Sequence, residues 1–190
     1  MTIDSNHLTP GSIRSHYEAV WSAAKIAPLS EDRGPAWQLP VGFHILEIAP
    51  HGNRSMWTYA TCGMSAQGAS PPLELHLFSA TQFPGHVELL TAVAHYHLTE
   101  EYLGLGHTVN FGRPWMPGSH CEFGFISLPY LDGPGLEWLN IGEKQVRFLW
   151  LIPITDAERA YKIKHGIEAL ETKFDEAQFN YLDPQRVSVL

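Results

Sequence analysis

Histidine is the residue type whose abundance here could signify chemistry, with eleven in 190 residues. His95 and His97 form an HxH pair, His107 follows Gly104 and Gly106, and His120-Cys121-Glu122 adds further donor types. Imidazole nitrogen and thiolate sulfur are zinc donors, so His95, His97, His107 and His120 or Cys121 could together build a metal-dependent hydrolase. The spacing does not demand it. There is no HExxH and no paired CxxC, and two residues apart on a helix lie about 200° apart around its axis, too far to share an ion. His97 falls on an apolar helical arc and reads as a hydrogen-bonded core histidine. No metal or other cofactor is expected.

Other catalytic arrangements are missing from the sequence. There is no GxSxG elbow, and Gly63-Met64-Ser65 only sets a serine after a strand. Gly104-Leu105-Gly106 follows a helical pattern instead of opening one, with no Lys-Ser or Lys-Thr pair after it, so it does not read as a phosphate cradle. Glu100 and Glu101 adjoin a helix C-terminus, where the macrodipole disfavours carboxylates, and read as a solvated loop edge. Cys62 and Cys121 fall in expected strands and read as small apolar packing groups. No catalytic residue is assigned, and the chain reads as a non-enzyme.

Aromatic residues point elsewhere. Trp115 and Met116 sit in the Pro/Gly-rich run RPWMPGSH, and loops mostly run over the surface. Exposed Trp, Tyr and Met are enriched at protein interfaces. Trp115 and Met116 are therefore the first candidate partner contacts. Trp57 and Tyr59, on one face of a strand, are the second, against a competing reading as core.

The elements that must position these residues can be read from periodicity. A helix is expected from Ser12, carrying Ile13, Tyr17, Val20 and Ala24 and ended by Pro28. Residues 29–40 read as a connector. FHILEIA (43–49) is an expected strand, followed by a pair in 55–78. In that pair Trp57, Tyr59 and Thr61 oppose Met56, Thr58, Ala60 and Cys62, and Leu73, Leu75 and Leu77 oppose Glu74, His76 and Phe78. These three make an antiparallel meander. A helix over 85–99 is apolar around a wide arc and should lie flat on a sheet. Short strands are expected at His107–Phe111, Glu122–Leu128 and Leu136–Ile141. VRFLWLI is apolar on both faces, as a covered central strand is, and Pro153 should close it. Thr155 and Glu158 form a capping box. The stripe Ala160, Ile163, Ile167, Leu170, Phe174 then runs through Gly166, where a kink or break is expected, and RVSVL is a candidate last strand.

Together these give an α+β fold, a mixed, largely antiparallel sheet packed by helices. Residues 1–40 form an N-terminal helix and connector packed on a domain spanning 41–190. A net charge of −8 disfavours nucleic acid, whose binding needs clustered Lys and Arg, and suits a basic protein partner. No secretion signal is expected from the polar N-terminal residues, and no apolar run approaches the roughly 20 residues that span a bilayer. The chain is expected to be cytoplasmic, without a membrane partner.

The ordered succession WTYATCGMS, LELHLF, LLTAVAHYH, LGLGHTVNFG and VRFLWLIPIT-DAERAYKIKHGIEALE resembles the suppressor of fused domain over roughly Val41 to Leu190. The resemblance implies a domain without catalytic machinery that binds other proteins. Two-domain animal relatives clamp a transcription-factor peptide, partly by adding it as a β-strand. Bacterial single-domain relatives are associated with toxin–immunity loci, where they would bind and neutralise a toxin. On this resemblance the chain is expected to stop where a second domain would begin. Its link AQGASPP is short where animal relatives carry a longer acidic insertion, so animal contact residues are not carried over, and the bacterial immunity type is the better fit.

Overall fold

Apolar alternation and Gly/Pro punctuation build one sheet with helices on both faces. The computed structural model describes residues 8–21, 26–28, 39–65 and 71–190. In chain order it contains α1 (Pro10–Trp21), β1 (Ile26–Pro28), β2 (His44–Ile48), β3 (Trp57–Cys62), β4 (Leu73–Ser79) and α2 (Gly85–Thr99). These are followed by β5 (Thr108–Asn110), β6 (Cys121–Ser127), α3 (Pro134–Glu137), β7 (Trp138–Ile141), β8 (Lys144–Thr155), α4 (Asp156–His165) and α5 (Ile167–Ala177). Most of the 29–40 connector and part of the AQGASPP link lie outside the described residues.

The sheet order is β1-β2-β3-β4-β8-β6-β5, with β7 also paired to β8. β2, β3 and β4 form the expected antiparallel meander. β4 then meets β8 in parallel, while β8 pairs antiparallel with β7 and β6. Arg147 is opposite both Leu73 and Trp138, and Trp150 opposite both His76 and Ser127. β7 and β6 therefore succeed one another along the same edge of β8, which makes it the central strand.

Leu73, Leu75, Leu77, Leu149 and Leu151 cover one face and pack beneath α2 with Val87, Leu90, Val93 and Ala94. Across the sheet, Ile13, Tyr17 and Trp21 of α1 meet Leu46, Ala60, Cys62 and Phe148. These three residues recur every four positions, and each contributes roughly 2 kcal/mol by burial. α5 covers the rest of that face, with Leu170 and Phe174 against Phe125, Trp150 and Ile152. Among the described residues no helix is long and apolar enough to cross a membrane.

Several expectations need correction. The first helix does not continue to Pro28, because Ile26–Pro28 pairs with β2 as a strand. Leu136 belongs to the short α3 that precedes β7. Pro153 lies inside β8, opposite Gly124. β4 accompanies β8 only as far as Trp150, so Pro153 falls where β8 is paired on one side, and a missing N–H is tolerated there. The break expected at Gly166 is present, at φ 93° between α4 and α5, but Ile163, placed on the apolar stripe, is exposed. RVSVL forms no strand. Arg186 instead binds Glu158 Oε1 and Oε2 at 2.7 and 2.8 Å, and Val189 N–H donates to Oε1 at 3.1 Å.

Candidate protein-binding edge

β5 is three residues long and ends the sheet. Ile126 N–H donates to His107 O and Phe111 N–H to Glu122 O, both at 2.9 Å, with Val109 opposite Gly124 between them. In an antiparallel ladder the intervening residues direct their N–H and C=O groups the other way. The backbone groups of Thr108 and Asn110 therefore face outward, where no strand among the described residues pairs with them.

Two hollows flank this edge. One, of about 370 Å³, is lined by Tyr96, Thr108, Asn110, Phe123 and Arg159. The other, of about 250 Å³, lies between α2 and β5, with Leu89, Val93, Tyr96, Val109 and Phe111 in its wall. Arg159 rests on the Phe123 ring at 4.6 Å while its Nε donates to Asp156 at 3.0 Å. Gly124 sets the floor. A Cβ there would meet the Phe111 ring at 2.7 Å and Leu151 Cδ1 at 2.6 Å, so Phe111 lies over a position with room only for hydrogen. An open edge flanked by hollows can accept an extended peptide, backbone bonds giving affinity and alternate side chains giving selectivity.

The four aromatic and methionine candidates do come together, but inside the protein. Tyr59 is fully buried and Trp115 is 3% exposed. His86 lies between them, its ring 5.0 Å from Tyr59 and stacked 5.2 Å from Trp115. Tyr59 Oη accepts from Phe83 N–H at 2.8 Å, and Trp115 Nε1 donates to Ser119 Oγ at 2.9 Å. Trp57 and Met116 are half-buried on the same cluster. The loop can bury its tryptophan because its polar groups are satisfied internally, including Trp115 N–H to Cys121 O at 3.0 Å. The surface exposure expected of Trp115 is not present, and Tyr59 follows its competing reading as core.

The histidine set does not gather. His97 is buried, with Nδ1 accepting from Leu103 N–H at 2.9 Å, whereas His107 and His120 are exposed. Among the described residues no three His, Cys, Asp or Glu side chains could hold an ion together, so the hydrolase alternative has no site there. Both cysteines are buried and unbridged, and burial raises their thiol pKa values.

Buried charges elsewhere are committed to architecture. Glu74 accepts from Thr61 Oγ1 and Ser65 Oγ, each at 2.6 Å, and from the Gly63, Met64 and Ser65 N–H groups. Gly63, at φ 101°, permits the turn that aims these donors inward. Among the described residues no cation joins them, and burial raises the Glu74 pKa. Glu158 is also desolvated, which alone would raise its pKa, but Arg186 and backbone donors hold its carboxyl below the ordinary range. Asp132 accepts from Trp21 Nε1 at 2.9 Å and bonds Arg54, tying α1 to the β6–α3 loop.

The suppressor of fused protein (SUFU) profile matches residues 40–187. The chain belongs to the suppressor of fused family. A SUFU homologue from Neisseria gonorrhoeae FA 1090 is 33% identical, with a TM-score of 0.84 over 100% of this chain and 98% of that one. A chain of the Sufu–Fu complex crystal structure is 14% identical, with a TM-score of 0.69 over 96% and 93%. Drosophila Suppressor of Fused is likewise 14% identical at a TM-score of 0.69, covering 95% of this chain and 51% of its own, so this SUFU domain spans about half of that protein. At 14% identity these two likenesses establish the fold alone. No curated protein matches at a significant level. The β5 strand is legible in the sequence but its open edge is not, and the sole local signal is its place between Gly106 and Gly112.

Proposed function

We propose that this SUFU domain is a non-catalytic binding module that captures an extended segment of a partner protein on β5. The observation that carries the reading is the outward-facing backbone of Thr108 and Asn110 between two side-chain hollows. Membership of a family that includes a Sufu–Fu complex supports a protein partner. The finer form of the proposal is an immunity protein that neutralises a toxin by masking it, and the net charge of −8 suits a basic partner.

Thr108→Pro tests the edge. It removes an outward N–H while leaving the His107, Val109 and Phe111 contacts to β6 in place. Quantitative capture of partners on immobilised protein should fall at least about tenfold, the scale of a lost backbone interaction plus steric exclusion. Equal capture by both proteins would reject the edge. For the immunity form, a toxin encoded beside this gene should be neutralised on co-expression with wild type and not with Thr108→Pro. Toxicity unrelieved by the wild-type protein would reject that form.

A further inference from the structure

A second surface shares no lining residue with the β5 hollows. It is a groove of about 640 Å³ between α5 and the sheet, lined by Trp150, Ile152 and Phe174 and bordered by Tyr130, Phe179 and Tyr181. Glu168, Glu171 and Asp175 also line it. Their three- and four-residue spacing sets the carboxylates along one face of α5. None has a cation partner among the described residues, and the nearby Lys173 is engaged with Glu176 at 2.7 Å.

Glu171 is held toward the groove by Ser127 Oγ at 2.6 Å and Tyr130 Oη at 3.2 Å. Tyr130 is 56% exposed and its neighbour Leu131 47%, so the rim is both apolar and accessible. Burial, reinforced by the Glu171 carboxylate, raises the Tyr130 phenol pKa. Like charges in a row on one helix face weaken the helix by a few tenths of a kcal/mol per pair, so an unneutralised row is a standing cost that a cation would relieve. Aromatic ring faces attract cations as well, and a basic side chain carries an apolar stem that can lie along such a floor. A lysine or arginine side chain matches both features; an acidic or purely apolar one matches only part.

We propose that the α5 groove is a second docking surface, taking a basic segment of a protein partner whose Lys or Arg side chains lie over the Trp150–Phe174–Tyr181 floor and meet Glu168, Glu171 and Asp175. This rests on the reading that the domain binds protein, but on a different surface from β5.

The test uses the full chain and a fluorescein-labelled peptide of alternating arginine and leucine, read by anisotropy at moderate salt. Wild type should bind, and Glu168→Gln/Glu171→Gln/Asp175→Asn should weaken binding by at least about tenfold. Amide side chains keep an acceptor for Ser127 and Tyr130, so the fold is retained. A charge-matched control, Glu18→Gln/Glu143→Gln/Glu176→Gln, should change affinity by less than about threefold, and Thr108→Pro should leave it unchanged. Equal losses in the two triple variants would reduce the effect to net charge and overturn the proposal. So would absent wild-type binding, equal binding of a glutamate–leucine peptide, or self-association abolished by the groove variant, which would assign the groove to a second copy. Loss at Thr108→Pro with the groove variant unaffected would return the peptide to β5 alone.

Discussion

β5 and the loop that follows it are neighbours in the chain with opposite properties. The loop holds Trp115, a conspicuous side chain, yet it is closed: the indole is buried on His86 and its N–H is bonded to Ser119. β5 is the plain run Thr108-Val109-Asn110, yet it is open, with a row of backbone groups facing outward. A large aromatic side chain marks a place that packing can fill. An open edge is marked by what topology leaves unpaired, and no side chain announces that.

Substitutions should separate the two regions. Trp115→Ala removes a buried ring and should cost about 3–5 kcal/mol of unfolding free energy, read by urea denaturation. A loss below about 1 kcal/mol would mean that the loop is a surface feature after all.

Next in size is a pH effect confined to the closed core. Burial lowers His76 to about 3 and His86 to about 4, from an ordinary value of 6.5. On acidification the unfolded chain takes up these protons first, so the stabilisation is complete above about 6.5 and is lost as pH falls toward 4 and then 3. The slope should be at most about 1.4 kcal/mol per pH unit for each histidine. Glu74, with its raised pKa, acts in the opposite sense: its contribution falls as pH rises above the unfolded carboxyl value. His86→Phe should flatten the denaturation midpoint between pH 6 and 4.5, and an unchanged slope would contradict the buried neutral ring.

Smaller still, Gly124→Ala presses a methyl group on Phe111 and Leu151 and should cost about 1–3 kcal/mol. Because Phe111 lines one β5 hollow, this change should weaken partner capture too, linking packing to the edge. Thr108→Pro should move stability by less than about 1 kcal/mol, as expected at an edge position whose N–H makes no ladder bond.

Much of this architecture was legible because local chemistry decides it. Alternation assigned Leu73, Leu75 and Leu77 to one face and Glu74, His76 and Phe78 to the other, as observed. The Thr155–Glu158 box caps α4 as expected. What stayed hidden is non-local. Nothing in LELHLF or VRFLWLI indicates that β4 and β8 pair in parallel, and β5 becomes an edge only through that strand order. Glu158 looked like a cap alone, whereas it also receives Arg186 from 28 residues away. Pro153 read as a stop because local rules do not show that β8 is one-sided there. Trp115 read as exposed because a general rule about loops cannot show which loops satisfy their own polar groups.

Hydrogen–deuterium exchange of the domain, alone and bound to a captured partner, tests the central claim most directly. Thr108 and Asn110 amides, which make no ladder bond in the free protein, should exchange rapidly alone and become strongly protected in the complex. Continued rapid exchange of both amides in a saturated complex, with protection confined to other elements, would contradict capture on β5.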